Sequence, residues 1–154
     1  AQQARLTNEA LLVLLERPLL TDVCFESSNF NDDSAGLVSQ SKTITTLELA
    51  DTNITKTGLE SICSMTQLKG LDIWSTHIGE SEIDLLARLP NLEYLSIGGP
   101  DEQTIFSAKG TLPRLYKIPA LKSIWLDGLR VSRDEWEDLN QRYEQVRVAE
   151  IVDP

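Results

Sequence analysis

The sequence predicts an α/β solenoid of five to six stacked units, each a short parallel strand followed by a helix or turn. Two observations predict it. Apolar residues recur at a fixed distance: Ile44, Leu47, Leu49 and Ile54 are matched by Leu68, Leu71, Ile73 and Ile78, each 24 residues later, and Leu92, Leu95 and Ile97 open a third copy after another 24. Self-similarity at such a period marks repeat architectures. Within each unit the apolar spacing then changes from alternate residues, one face of a strand, to every third residue, one face of a helix.

The spacing L-x-x-L-x-L-x-x-(polar)-x-L resembles that of the leucine-rich repeat family. The resemblance implies a right-handed solenoid with its parallel sheet on the concave side and its helices on the convex side. The polar framework position, Asn in the family, is Ser28, Thr52 and Thr76 here, so hydroxyls are expected in place of an amide ladder, with Pro100 and Leu129 breaking it later. The Thr-containing run Asp51 to Leu59 is similar to bacterial arrays of 24-residue repeats.

Taken in order, Leu6 to Arg17 predicts a helix with Thr7 as N-cap and Pro18 as terminator. It is either an N-terminal cap or the edge of a longer array, which needs caps to cover its core. The first full repeat places Leu20, Val23, Phe25 and Phe30 on the framework; its second half, with only Leu37 and Val38 strongly apolar, predicts a loop or a ragged helical turn. The next two repeats carry Leu59, Ile62, Met65 and Ile83, Leu86, Leu89 beneath their strands. The fourth is longer, its successor opening 29 residues on at Leu121, and the extra length falls in Gly98 to Gly110; Leu112, Leu115 and Ile118 restore the helical face. The fifth opens with Leu121, Ile124, Leu126 and Val131. A helix follows, with Ser132 as N-cap, Glu135 completing a capping box, and Trp136, Leu139 and Tyr143 facing inward. Val146, Ala149 and Ile151, matched to Leu121, Ile124 and Leu126, begin a last strand with an open edge. The expected division is one domain over 1–154: residues 1–19 as cap or partial repeat, 20–145 as five repeats, 146–154 as a terminal strand.

With 24 acidic against 14 basic side chains the formal charge is −10. Such a surface repels nucleic-acid phosphates and anionic membranes, so neither is an expected partner, and a basic protein or peptide is favoured. The longest apolar run, Ala10 to Leu15, is far too short to span a bilayer. Cys24 and Cys63 fall on opposite sides of the expected solenoid and are poorly placed to bond, which favours an intracellular, cytoplasmic setting. A start at Ala1 without Met suggests a processed chain or a piece of something longer.

Because side chains alternate along a strand, burial of the framework turns the intervening residues to solvent. These include Asp22, Cys24, Glu26, Glu48, Asp51, Lys69, Asp72, Trp74, Tyr94, Ser96, Lys122, Trp125, Asp127, Arg147 and Glu150. Trp74, Tyr94 and Trp125 stand on consecutive strands. At about 4.8 Å between strands and about 7 Å between alternate residues they span one patch roughly 10 to 15 Å across. Large residues on strands also serve cross-strand packing. Three together within an acidic surround nevertheless predict a partner-binding patch of Trp74, Tyr94, Trp125, Asp72, Glu48, Asp51, Asp127 and Ser96.

Chemistry-bearing motifs are lacking. His77 has no Cys or His at ligand spacing, and no nucleophile elbow, metalloprotease helix, Gly-rich phosphate loop or paired-Cys motif occurs. The acidic pairs Asp32-Asp33, Asp101-Glu102 and Asp134-Glu135 are expected to be solvated or to complement helix dipoles. No cofactor, metal or catalytic residue is expected. The function this predicts is a non-catalytic protein-protein interaction module; the alternative is the substrate-targeting fragment of a larger enzyme, such as a bacterial effector or ligase.

Overall fold

The computed structural model describes residues 6–99 and 106–152. Through them runs a six-stranded parallel sheet in chain order, comprising β1 (Asp22–Cys24), β2 (Thr46–Glu48), β3 (Gly70–Asp72), β4 (Tyr94–Gly98), β5 (Ser123–Ser132) and β6 (Gln145–Val152). Helices α1 (Asn8–Leu15), α2 (Asp32–Val38), α3 (Lys56–Ile62), a 3-10 helix (Glu80–Arg88), α4 (Ala108–Leu115) and α5 (Arg133–Arg142) alternate with the strands. Parallel neighbours cannot be joined by a hairpin, so each connection crosses beneath the sheet and closes one turn of the solenoid.

The core follows from the register. Val23, Leu47, Leu71, Leu95, Ile124 and Val146 face one another across the six strands. Phe30, Ile54 and Ile78 then close each turn, and Leu59, Ile62, Ile83, Leu86, Leu89, Leu112 and Leu115 fill the space below. The three-residue spacing of Ile83, Leu86 and Leu89 suits a 3-10 helix, whose side chains eclipse every third residue. All three are fully buried.

Each early strand leaves through a left-handed residue. Ser27, Asp51 and Ser75, 24 residues apart, hold φ of 53°, 55° and 54°. For residues with a Cβ this costs about 1 kcal/mol. The strain is offset because the turned N–H groups donate to Ala50, Trp74 and Gly98 carbonyls of the next repeat, at 2.9, 2.9 and 2.7 Å. Thr52 and Thr76 do not form the expected ladder between repeats. Their hydroxyls donate back to Leu49 O and Ile73 O, 2.7 Å each, inside their own turns. A hydroxyl has one proton on a short arm, so it satisfies one nearby carbonyl.

Of the loop or ragged helical turn expected after β1, the helical alternative is present, as the seven-residue helix α2 capped by Asn31, whose side chain accepts from Ser34 N at 3.1 Å. Two expectations are corrected. Asp51 lies in the turn after β2, and Trp74 in the turn after β3, and neither is on its strand. The last strand is also shifted by three residues: Val146 pairs with Ile124 and Val148 with Leu126. This last step is therefore 22 residues long, and Ala149 is exposed.

Asp32 is not merely solvated. Its carboxylate accepts from Thr55 N (2.8 Å), Thr55 Oγ1 (2.6 Å) and Gly58 N (3.0 Å), so the first residue of α2 caps the N-terminus of α3. Glu80 repeats the device, accepting from Ser107 N (2.8 Å), Ser107 Oγ (2.9 Å) and Thr111 Oγ1 (3.2 Å) at the start of α4. In both places a glycine, Gly58 or Gly110, leaves room for the carboxylate; a Cβ on Gly58 would meet Asp32 Oδ1 at 2.5 Å. Of the expected insertion, residues 100–105 lie outside the described residues, as does Pro100 and with it the Asp101-Glu102 pair.

Candidate functional site

Three rows of side chains cross the solvent face of the sheet. The first contains Asp22, Thr46, Gly70, Tyr94, Ser123 and Gln145; the second, Cys24, Glu48, Asp72, Ser96, Trp125 and Arg147. The third lies where the strands end, with Ala50, Trp74 and Gly98 joined to the preceding repeat by their carbonyls and Gly98 paired with Asp127.

The register brings Tyr94 and Trp125 together. They stand diagonally on β4 and β5, their ring centroids 5.7 Å apart and nearly perpendicular at 84°. Such an edge-to-face pair is worth about 1 kcal/mol beyond the area it buries. Trp125 is 39% exposed, and the guanidinium of Arg147 on β6 lies over its face, 5.2 Å from the centroid. Arg147 was identified by sequence as an outward residue but not as part of the patch. The missed signal was its row position beside Trp125, hidden by the three-residue error in β6.

Trp74 stands apart from this pair. It sits half-buried between Ala50 and Gly98, whose small size leaves room for the indole, and its Nε1 is buried with no hydrogen-bond partner. An unsatisfied buried donor costs about 1 to 3 kcal/mol. Ser96 is buried at the floor of the middle row.

Around the rings the electrostatics are one-sided. Asp22, Glu48, Asp72 and Asp127 lie in the first three rows, with Glu26 beyond β1, against Arg147. Asp72 Oδ1 accepts from Trp74 N at 2.9 Å. Burial, together with the charges of Glu48 and Asp127, nonetheless holds the Asp72 carboxyl above the ordinary aspartate value, against the hydrogen bonds from Trp74 and Ser96. Burial likewise raises the Tyr94 phenol, aided by Asp72, Glu48 and Asp127. Among the described residues Glu48, Asp72 and Asp127 form no ion pair. The residues entering the strands are balanced instead, as where Lys122 Nζ meets Glu93 Oε2 at 2.9 Å. Beside Glu48 a hollow of about 140 Å³ opens, lined by Asp22, Val23, Cys24, Thr46 and Glu48.

Asp51, at the edge of this face, accepts from Ser27 Oγ at 3.0 Å. Cys24 is exposed and Cys63 buried, both as free thiols, with burial pushing the Cys63 thiol up to about 11. Among the described residues no group of three or more His, Cys, Asp or Glu could hold a metal ion, and no helix is long and apolar enough to cross a membrane.

In sequence the chain matches no protein-family model and no curated protein. In structure it is similar to the actin-binding site 2 region of leiomodin-1, with a TM-score of 0.60 at 13% identity, over 92% of this chain and 78% of that one. It is equally similar to an internalin from Listeria monocytogenes, with a TM-score of 0.60 at 15% identity, over 90% of this chain and 45% of that one. The chain thus spans under half of that internalin. With these likenesses and the six parallel strands alternating with helices, the fold is a leucine-rich repeat solenoid.

Proposed function

We propose that the chain is a protein-binding module whose sheet, on the concave side of the solenoid, receives a basic protein or peptide segment. The observation that carries this reading is the Tyr94–Trp125 pair, its Trp125 ring exposed, set beside carboxylates that form no ion pair among the described residues. Aromatic side chains held rigidly at the centre of a face are the residues that dominate binding hot spots, and complementary charge speeds encounter and fixes orientation. The actin-binding region of leiomodin-1 supports the reading by analogy, since a solenoid of this shape there belongs to a partner-binding region. The expected site residues are Trp74, Tyr94, Trp125, Glu48, Asp51, Asp72, Ser96 and Asp127, with Trp125 as anchor and Ser96 as support from below. The same face would serve in the substrate-targeting segment of a larger enzyme. The 24-residue steps between β1 and β4, with Thr52 and Thr76 on the framework, support a bacterial-type array.

Trp125→Ala is the clean test, because Trp125 is the exposed ring whereas Trp74 is packed. Peptides selected from a random displayed library on the wild-type chain are expected to lose about 30-fold in affinity for Trp125→Ala, the 2 kcal/mol of a hot-spot residue. Thermal unfolding should show no more than about 1 kcal/mol lost, the edge-on contact with Tyr94. Selected peptides that bind both chains alike would place the binding surface elsewhere.

A further inference from the structure

The acidic end of the sheet face and its aromatic pair occupy different strands, and this separation says what a bound segment must carry. Glu48 and Asp72 are paired neighbours on β2 and β3, Cα partners in the register, beside the hollow that Asp22 and Glu48 line. Tyr94 and Trp125 follow on β4 and β5. At about 4.8 Å per strand the two features are roughly 10 Å apart, within reach of side chains from nearby residues of one segment. No described cation meets Glu48 or Asp72. Arg147 shows that a guanidinium is accommodated against the Trp125 face, but it lies on the β6 side, away from the acids of β2 and β3.

Resting on the reading of this face as the partner-binding surface, we propose that it takes a segment with an arginine side chain laid over Glu48 and Asp72 and an apolar side chain seated on Tyr94 and Trp125. Charge complementarity selects the first residue. A planar guanidinium presents five donors and can bridge two adjacent carboxylates, whereas one Asp72 oxygen already accepts from Trp74. The ring pair selects the second, since it offers an apolar platform with its edges fixed. Arg147, at the far side of Trp125, repels a second cation there and so sets the direction in which the segment lies. The energetic sense agrees: a half-buried carboxylate among like charges costs folding free energy that an incoming cation recovers.

Three indole N–H resonances, from Trp74, Trp125 and Trp136, make the face directly readable by NMR of the whole 15N-labelled chain. The probes are acetyl-Arg-Ala-Leu-amide and its analogues with norleucine or Glu in place of Arg. The Arg peptide is expected to shift the Trp74 and Trp125 signals, leave Trp136 on α5 unmoved, and bind at least fivefold tighter than the norleucine peptide, with the Glu peptide weakest. Glu48→Gln combined with Asp72→Asn should reduce the Arg preference over norleucine to under twofold. Arg and norleucine peptides binding alike, with Trp125 shifting, would overturn the arginine assignment and leave the partner-binding face standing. No shift of Trp74 or Trp125 with any peptide would overturn both. Asp72→Asn alone should leave the chain as stable as wild type or more so at neutral pH. That variant's advantage should shrink as pH falls through the raised Asp72 value, because the folded wild type then takes up its proton before the unfolded chain does.

Discussion

Replacing Gly98 by alanine is expected to destabilise the chain by about 3 kcal/mol or more. Gly98 ends β4 with φ of 117°, a conformation that a residue with a Cβ rarely adopts, and a Cβ there would collide with the carbonyl oxygen of Asp127. Strain and overpacking of this kind each cost about 1 to 3 kcal/mol, and neither is relieved by a side-chain rotation because the obstacle is backbone. In a chain of this length that corresponds to a fall of roughly 6 to 12 °C in Tm. Gly36→Ala is the matched control: it lies in α2 with no atom within 4 Å of the added carbon, so it should be neutral or stabilise by up to about 1 kcal/mol. A Gly98→Ala chain within 0.5 kcal/mol of wild type, roughly the noise of surface substitutions, would show that the β4–β5 junction is free to move. Loss there should also reach the sheet face, because Gly98 sits between Trp74 and Asp127 in the third row.

The second large effect is expected at Glu80. Truncation to alanine removes the acceptor shared by Ser107 N, Ser107 Oγ and the fully buried Thr111, and should cost about 2 kcal/mol, between one charge-assisted bond and the penalty of an orphaned buried hydroxyl. Gly110→Ala gives the same geometry a sign. In the wild type a Cβ at Gly110 collides with the Glu80 carboxylate, so the substitution destabilises; in the Glu80→Ala chain the obstacle is gone and alanine's better helix propensity should stabilise. Additive effects in the double variant would mean that the two residues do not touch. The pH dependence follows from the charge. Burial opposes ionisation of Glu80, but the bonds from Ser107 and Thr111 and the nearby Arg114 outweigh it and hold the carboxyl below the ordinary glutamate value of 4.5. A depressed acid contributes its stability above the unfolded-state value and loses it as pH falls through that value to the lower folded one. The gap between wild type and Glu80→Ala should therefore be full at neutral pH and narrow below about pH 4.5.

Much of the fold was legible in particular residues. Leu47, Leu71 and Leu95 announce their strands because each is the inward member of an alternating run and recurs at a constant distance. Ser132 and Glu135 announce α5 because a capping box is a local hydrogen-bond exchange, and both bonds are present in the structure. Helix α2 was obscured because little apolar surface marks it; its start is set by the Asn31 cap, and its place beside α3 by Asp32 reaching 23 and 26 residues ahead to Thr55 and Gly58. In sequence Asp32 reads as a solvated acid or one that complements a helix dipole; that the helix start it caps is α3 emerges only when the two helices are side by side. The strand β6 was found in place but assigned the wrong register, because its connection is shorter than the period and counting from Leu121 matched Val146 to the wrong framework position.

What the sequence determined by itself is most of the division of residues between core and solvent from β1 to β5, the buried Ser96 excepted, since strand alternation and a repeated period are properties of the chain taken one unit at a time. It thereby named the aromatic and acidic residues of the sheet face. Which of them touch was decided by the tertiary structure alone. Tyr94 meets Trp125, Arg147 covers Trp125, and Trp74 stays apart between Ala50 and Gly98. The reason is lateral register: β5 keeps the alignment its apolar spacing gives despite a 29-residue connection, but the last connection is 22 residues, so the place of Arg147 beside Trp125 is set by how that crossover packs, and packing is not written in the period.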